Sequence, residues 1–198
     1  MIDGPLGQPR TRSIIAGLVL LARGDASGIM QFGHTLRAFL ISMVPLIALP
    51  LVVALATLPN GDVGRALGDL AASICVLLIP PVISHALAKR WNREVPWLRF
   101  AIAFNWSQFG LSALCMALLI ALGIVFGSVG ATSDSGGVVA AVALLCLGIV
   151  GYGLWLHWFV ARSGLGVSGG RAALVVLATY AGTFAILIVR GLLLMGRA

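Results

Sequence analysis

Charge is what this 198-residue chain has least of: 10% of its residues are charged, and only six are acidic. Soluble domains carry about 25% charged residues and about 45–50% apolar ones. Here 60% are hydrophobic, and the mean hydropathy is +1.08. Such a chain cannot cover itself with a wettable surface, so lipid must be its solvent. Cysteine is also scarce. Cys75, Cys115 and Cys146 lie far apart, each inside an apolar run, and no C-x-x-C spacing occurs. They read as packing residues and say nothing about compartment. Lysine is almost missing: Lys89 stands against twelve arginines, which hints at a GC-rich bacterial genome. No Asp or Glu falls at the depth of a span centre, where proton or cation coupling usually places one. That argues against a self-sufficient secondary transporter and leaves a channel open. No H-E-x-x-H, G-x-G-x-x-G or P-loop is present. Gly166-Val167-Ser168-Gly169 imitates the G-x-S-G of rhomboid-type intramembrane proteases. Those place the serine in a helix ahead of its histidine. Ser168 sits in a hairpin with no histidine after it, so an enzyme reading lacks a nucleophile–base pair.

What is present is a set of long apolar runs. A spanning helix needs roughly 20 mostly apolar residues. The runs predict an all-α polytopic transmembrane bundle, a single membrane domain over 1–198, with spans at about 37–58, 67–87, 100–126, 137–160 and 172–195. Residues 1–12, with two Pro and two Gly, are expected to be a disordered tail. Residues 13–22 are apolar but too short to span, and no A-x-A-like cleavage site follows them. Segment 13–35 is expected to lie on the membrane surface as an interfacial helix and turn, with re-entry as the alternative. Pro45, Pro50, Pro80 and Pro81 should kink the first two spans. Gly123-x-x-x-Gly127, Ala117-x-x-x-Ala121 and Ala178-x-x-x-Gly182 have the spacing of close helix contacts. They suit packing within the bundle, or a homodimer. Loops are expected at 59–66 and 127–136, with a Gly-rich hairpin at 161–171 bounded by Arg162 and Arg171.

Charge orients the bundle. A pI near 10.7 would suggest nucleic acid in a soluble protein, but here the basic residues stand at the ends of apolar runs. Nucleic acid is therefore not an expected partner. With the N-terminus inside, Arg10, Arg12, Arg23, Arg37, Lys89, Arg90, Arg93, Arg99, Arg162 and Arg171 are cytoplasmic, leaving Arg65, Arg190 and Arg197 outside. Each Lys or Arg costs about 2.5–3.5 kcal/mol at a span centre on the insertion scale. The imbalance predicts an inner-membrane protein with a cytoplasmic N-terminus and a periplasmic C-terminus. Arg190, near the end of the last span, reads as a snorkelling anchor.

A polar layer follows the same asymmetry. All five tryptophans and all three histidines fall near the basic boundary: Trp91, Trp97, Trp106, Trp155 and Trp158, with His34, His85 and His157. Asn105 and Gln108 are three apart on one helix face. Tryptophan prefers interfaces, and amides in spans often bond neighbouring helices, so packing alone explains this layer. The functional reading is a cytoplasm-facing pocket for an anionic headgroup or a partner segment. Its candidates are Arg90, Trp91, Arg93, Trp97, Arg99, Asn105, Trp106, Gln108, His85 and His157. Basic residues interleaved with Trp in 88–99 suit anionic lipid. The histidines lack carboxylate or Cys co-ligands, so neither a metal nor a cofactor is expected.

The stretch 20–50 followed by 99–108 resembles a group of small alphaproteobacterial membrane proteins. The resemblance rests on Leu-Ala-Arg-x-Asp at 21–25, Phe32, Phe39 with Ser42, and Asn105-Trp106. That group looks similar to the Yip-type superfamily of five-span proteins. The resemblance implies five helices, a cytoplasmic N-terminus and no enzymatic activity. The cytoplasmic domain of eukaryotic members is missing here, so their role in vesicle traffic is not carried over. The resulting expectation is a non-enzymatic protein that binds membrane lipid or a membrane-protein partner through its basic face. A small channel or permease component is the alternative.

Overall fold

The computed structural model describes residues 11–57, 63–129 and 136–195. Among the described residues six α-helices follow one another: α1 Thr11–Ala22, α2 Leu36–Thr57, α3 Val63–Arg90, α4 Glu94–Val129, α5 Gly136–Leu165 and α6 Gly169–Met195. A 3₁₀ turn, Ala26–Gln31, lies between α1 and α2. No strand occurs among the described residues. The expected tail at 1–12 lies mostly outside the described residues, but Thr11 and Arg12 already belong to α1. Parts of the expected loops 59–66 and 127–136 also lie outside them.

Leu67–Arg90, Glu94–Ile124, Ala140–Leu165 and Gly169–Leu193 are long and apolar enough to cross a bilayer, and Leu36–Val52 is a shorter apolar stretch within α2. The chain is a multi-pass helical membrane protein. α2 and α3 run as helix through Pro45, Pro50, Pro80 and Pro81.

The basic end is closed by tight caps, which shortens the expected loops. Three helices end on a residue with positive φ: Gly24 at 79°, Asn92 at 56° and Gly166 at 60°. After α3, the Arg93 N–H bonds the Ala88 carbonyl at 2.8 Å and the Asn92 N–H bonds Lys89 at 3.1 Å. After α1, Asp25 and Gly24 bond Leu20 and Leu21, each at 2.9 Å. This double closure satisfies carbonyls the helix leaves open, and Gly or Asn tolerates the left-handed turn. The segment 88–99 is therefore helix, a brief turn at 91–93, and helix again. The hairpin expected at 161–171 shrinks to 166–168, and Arg162 and Arg171 belong to helices. Lys89 and Arg90 close α3, Arg162 closes α5 and Glu94 opens α4, each sign suiting its helix dipole.

The bundle is a ring in which α2 packs on α3 and α4, α4 on α5, α5 on α6, and α6 back on α3. Its core is one-sided. Buried residues include Phe100–Asn105, Leu156, His157, Val160, Ala161, Leu165, Ala172, Val175 and Val176, all toward the basic end. Toward the far end the helices present apolar surface: Ile124 is 69% exposed, Leu147 68% and Ile188 62%. Water would not tolerate that face, whereas acyl chains match it.

Glycine spacing divides the same way. A Cβ on Gly182 would lie 2.9 Å from Ile79 and Ile83, so Ala178-x-x-x-Gly182 does seat α6 on α3. Gly123 has nothing within 4 Å, and Ala117 and Ala121 are exposed. Among the described residues, Ala117, Ala121 and Gly123 do not pack within the bundle.

Segment 13–35 is docked, not free. Leu18 lies against Gly110, the Tyr152 hydroxyl donates to the Ala22 carbonyl at 2.9 Å, and Gly24 sits beside Trp155. Leu21, Ile29 and Phe32 join the core.

Candidate functional site

Polar side chains near the basic end are used first as stitches between helices. The Asn105 Nδ2 donates to Ser42 Oγ at 2.9 Å and to Met43 Sδ at 3.2 Å, joining α4 to α2. Ser42 in turn donates to the Phe39 carbonyl at 2.7 Å. The Trp97 indole donates to Ser84 Oγ at 3.1 Å, joining α4 to α3, and its ring meets His85 at 4.5 Å. His157 Nδ1 and the Tyr180 hydroxyl are 2.8 Å apart, joining α5 to α6. The same imidazole lies 4.5 Å from the Phe104 ring of α4. The Trp158 indole donates to the Gly169 carbonyl at 2.9 Å. A hydrogen bond between helices in lipid is worth about 0.6 kcal/mol on average. Several of them around one ring fix which helix faces meet. His157 Nε2 and Ser107 Oγ remain buried without a partner among the described residues.

The structure thus divides the ten candidates. Asn105, Trp97 and His157 are taken up inside, with His85 half of an aromatic pair on Trp97. Trp106 packs edge-on against Phe109 of its own helix at 6.0 Å. Gln108 is not at this end and lines a cavity farther along. Arg99 is half-buried: its Nη1 donates to Met30 Sδ at 3.3 Å, and its Nε is buried without a partner among the described residues. Arg90 and Arg93 are exposed and Trp91 half-exposed.

The exposed Arg162 and Arg171 and the half-buried Trp158 join them; in the sequence the two arginines count toward the cytoplasmic charge and bound the hairpin, but are not site candidates. Arg171 stacks over Trp91 at 5.4 Å, and Arg162 over Trp158 at 5.4 Å. Arg93 Nη1 lies 3.8 Å from a Cβ built on Gly166. Arg93, Arg162 and Arg171 therefore gather around the α5–α6 turn on an aromatic floor. The interleaving of Arg and Trp in 155–171 was the signal available in sequence.

Among the described residues no acid forms an ion pair with this cluster. The ion pair among the described residues is Arg190 with Asp69 at 2.7 Å, at the opposite end. Arg190 is thus held by α3, not free to snorkel. Asp25 caps the 3₁₀ turn, accepting from the Ser27 amide at 2.8 Å, which holds its carboxyl below the usual range. The histidines are dispersed: His34 is exposed before α2, His85 sits on Trp97 and His157 is buried. The described residues contain no His, Cys, Asp or Glu cluster able to hold a metal ion.

No protein-family model, curated protein or solved structure matches this chain.

Proposed function

We propose a non-enzymatic inner-membrane protein that binds anionic lipid headgroups, or the anionic surface of a membrane partner, through its basic end. The observation that carries this reading is the gathering of Arg93, Arg162 and Arg171 on Trp91 and Trp158 with no acid paired to them among the described residues. Each such arginine near an anionic surface is worth about 1 kcal/mol. Indole rings suit the headgroup level, and guanidinium groups already stacked on them lose less freedom when they take a phosphate. The basic end then faces the cytoplasm, with the N-terminus there and the C-terminus periplasmic. Leu18 against Gly110, about 16 Å along α4 from Arg99, supports re-entry of 11–35 into that leaflet. The channel reading meets the buried plug of Phe100, Phe104, Val160 and Leu165 at this end.

The test is native mass spectrometry of the full chain titrated with phosphatidylglycerol or phosphatidylcholine. Phosphatidylglycerol should be retained preferentially, and Arg93→Gln with Arg171→Gln should lower that retention about thirtyfold, as about 1 kcal/mol for each of the two charges implies. Equal retention of both lipids by the parent chain would sink the reading. A stoichiometric protein co-purifying in place of lipid would shift it to a subunit role.

A further inference from the structure

A second site lies at the opposite end. Where α2 diverges from α3 and α4, a cavity of about 450 Å³ opens, within the range of about 300–1,000 Å³ of small-molecule sites. Pro45, Leu46 and Pro50 form one wall, Val76 and Leu77 another, Ser112 and Met116 a third. Its lining is mostly apolar, with Ser73, Gln108, Ser112 and Arg190 as the polar side chains. Gln108, half-buried and with no hydrogen-bond partner among the described residues, marks the deep end. Arg190 marks the mouth.

Depth fits a lipid tail. Counting along α4 from Arg99, Gln108 lies about 14 Å in; counting along α6 from Arg171, Arg190 lies about 28 Å in. The cavity thus covers about 15 Å, the half-thickness of a hydrocarbon core of about 30 Å. It occupies the leaflet remote from the basic end.

The mouth carries paired chemistry. Arg190 Nε and Nη2 both bond Asp69 Oδ1, at 3.1 and 2.7 Å. Arg190 Nη1 and Asp69 Oδ2 keep no partner among the described residues. A free guanidinium donor suits a phosphate oxygen, and a free carboxylate oxygen suits an ammonium group. A second cleft of about 260 Å³ between α3 and α6 has both charged residues in its wall, so Arg190 borders both spaces while Asp69 is reached from the second cleft, just beyond the cavity.

We propose that this cavity seats one acyl chain of a phospholipid whose head bears both a phosphate and a primary ammonium, the phosphate on Arg190 and the ammonium on Asp69. The chain replaces apolar void with van der Waals contact, and the ion pair reads the head. The site is separate from the basic end in position and in charge.

The experiment uses the full chain in nanodiscs with phospholipids carrying a diazirine on one acyl chain, with phosphoethanolamine, phosphocholine or phosphoglycerol heads, and a diazirine fatty acid as a fourth probe. Cross-links should fall on peptides bearing Leu49, Ser112 and Met116, with the phosphoethanolamine probe at least fivefold over the others. Ala113→Phe, which fills the cavity, should remove those cross-links while leaving those on the lipid face at Leu144 and Leu147. Asp69→Asn should erase the preference between ethanolamine and glycerol heads, and Arg190→Gln should lower labelling by every phospholipid. Circular dichroism melting checks that each variant folds; the parent chain alone still decides if one does not. Equal labelling by all four probes, or cavity labelling that persists in folded Ala113→Phe, overturns the proposal.

Discussion

Replacing Asn105 by Leu tests whether the polar layer holds the bundle or serves a ligand. Asn105 is 3% exposed and its amide reaches Ser42 Oγ and Met43 Sδ. Leucine has nearly the same size, so the cavity term is small. Ser42 keeps its bond to the Phe39 carbonyl, so its hydroxyl proton is not orphaned. What is lost is one good interhelical bond and one weak sulfur contact. Such bonds average about 0.6 kcal/mol and reach about 1.7 kcal/mol in membrane bundles. The expected loss is thus about 0.5–1.5 kcal/mol. A double-mutant cycle with Ser42→Ala, read by reversible unfolding in mixed micelles, isolates the pair. A coupling energy of about 0.6–1.7 kcal/mol is expected. Coupling near zero, with full stability in Asn105→Leu, would refute the stitching argument and return Asn105 to the candidate ligand set.

Gly164→Ala places a Cβ 2.9 Å from Phe100 Cβ and 3.2 Å from its Cα, atoms that cannot swing away. The α4–α5 seam must open, and overpacking of about 1–3 kcal/mol should exceed the gain of about 1 kcal/mol in helix propensity. Gly148→Ala, with nothing within 4 Å, should instead be neutral or stabilising by up to about 1 kcal/mol on the same unfolding assay; destabilisation there would mean that another chain occupies this face. A reporter fused after Ala198 should be periplasmic, and a cytoplasmic reporter would reverse the proposed orientation.

Much of the architecture was readable because one physical quantity dominates it. Apolar runs of spanning length mark the helices in 67–87, 100–126, 137–160 and 172–195, and each proves longer at one or both ends. The extra turns carry charged residues such as Lys89, Arg90 and Arg162 and run to caps at Asn92 and Gly166, so hydropathy alone ends the helices too early. The candidate site was half readable. The end that holds it follows from Trp, His and Arg crowding. Its membership does not: Asn105 and Trp97, candidates for a ligand pocket in the sequence, are spent on Ser42 and Ser84, while Arg162 and Arg171 looked like boundary charges but stack with Trp158 and Trp91. In lipid a leucine gains little by facing a neighbour instead of an acyl chain. Periodicity therefore carries little information about which helix face is buried.

Composition and order along the chain alone determine that this protein is helical, crosses the membrane several times and has one basic, aromatic end, because burying backbone in lipid leaves helices as the only economical spans for such runs. The tertiary structure alone decides the rest: the pairing of Asp69 with Arg190 across α3 and α6, the docking of 11–35 on α4 and α5, and the cavity beside Pro45 and Pro50. Each depends on contacts between residues tens of positions apart, set by side-chain shape and hydrogen-bond geometry where the helices meet.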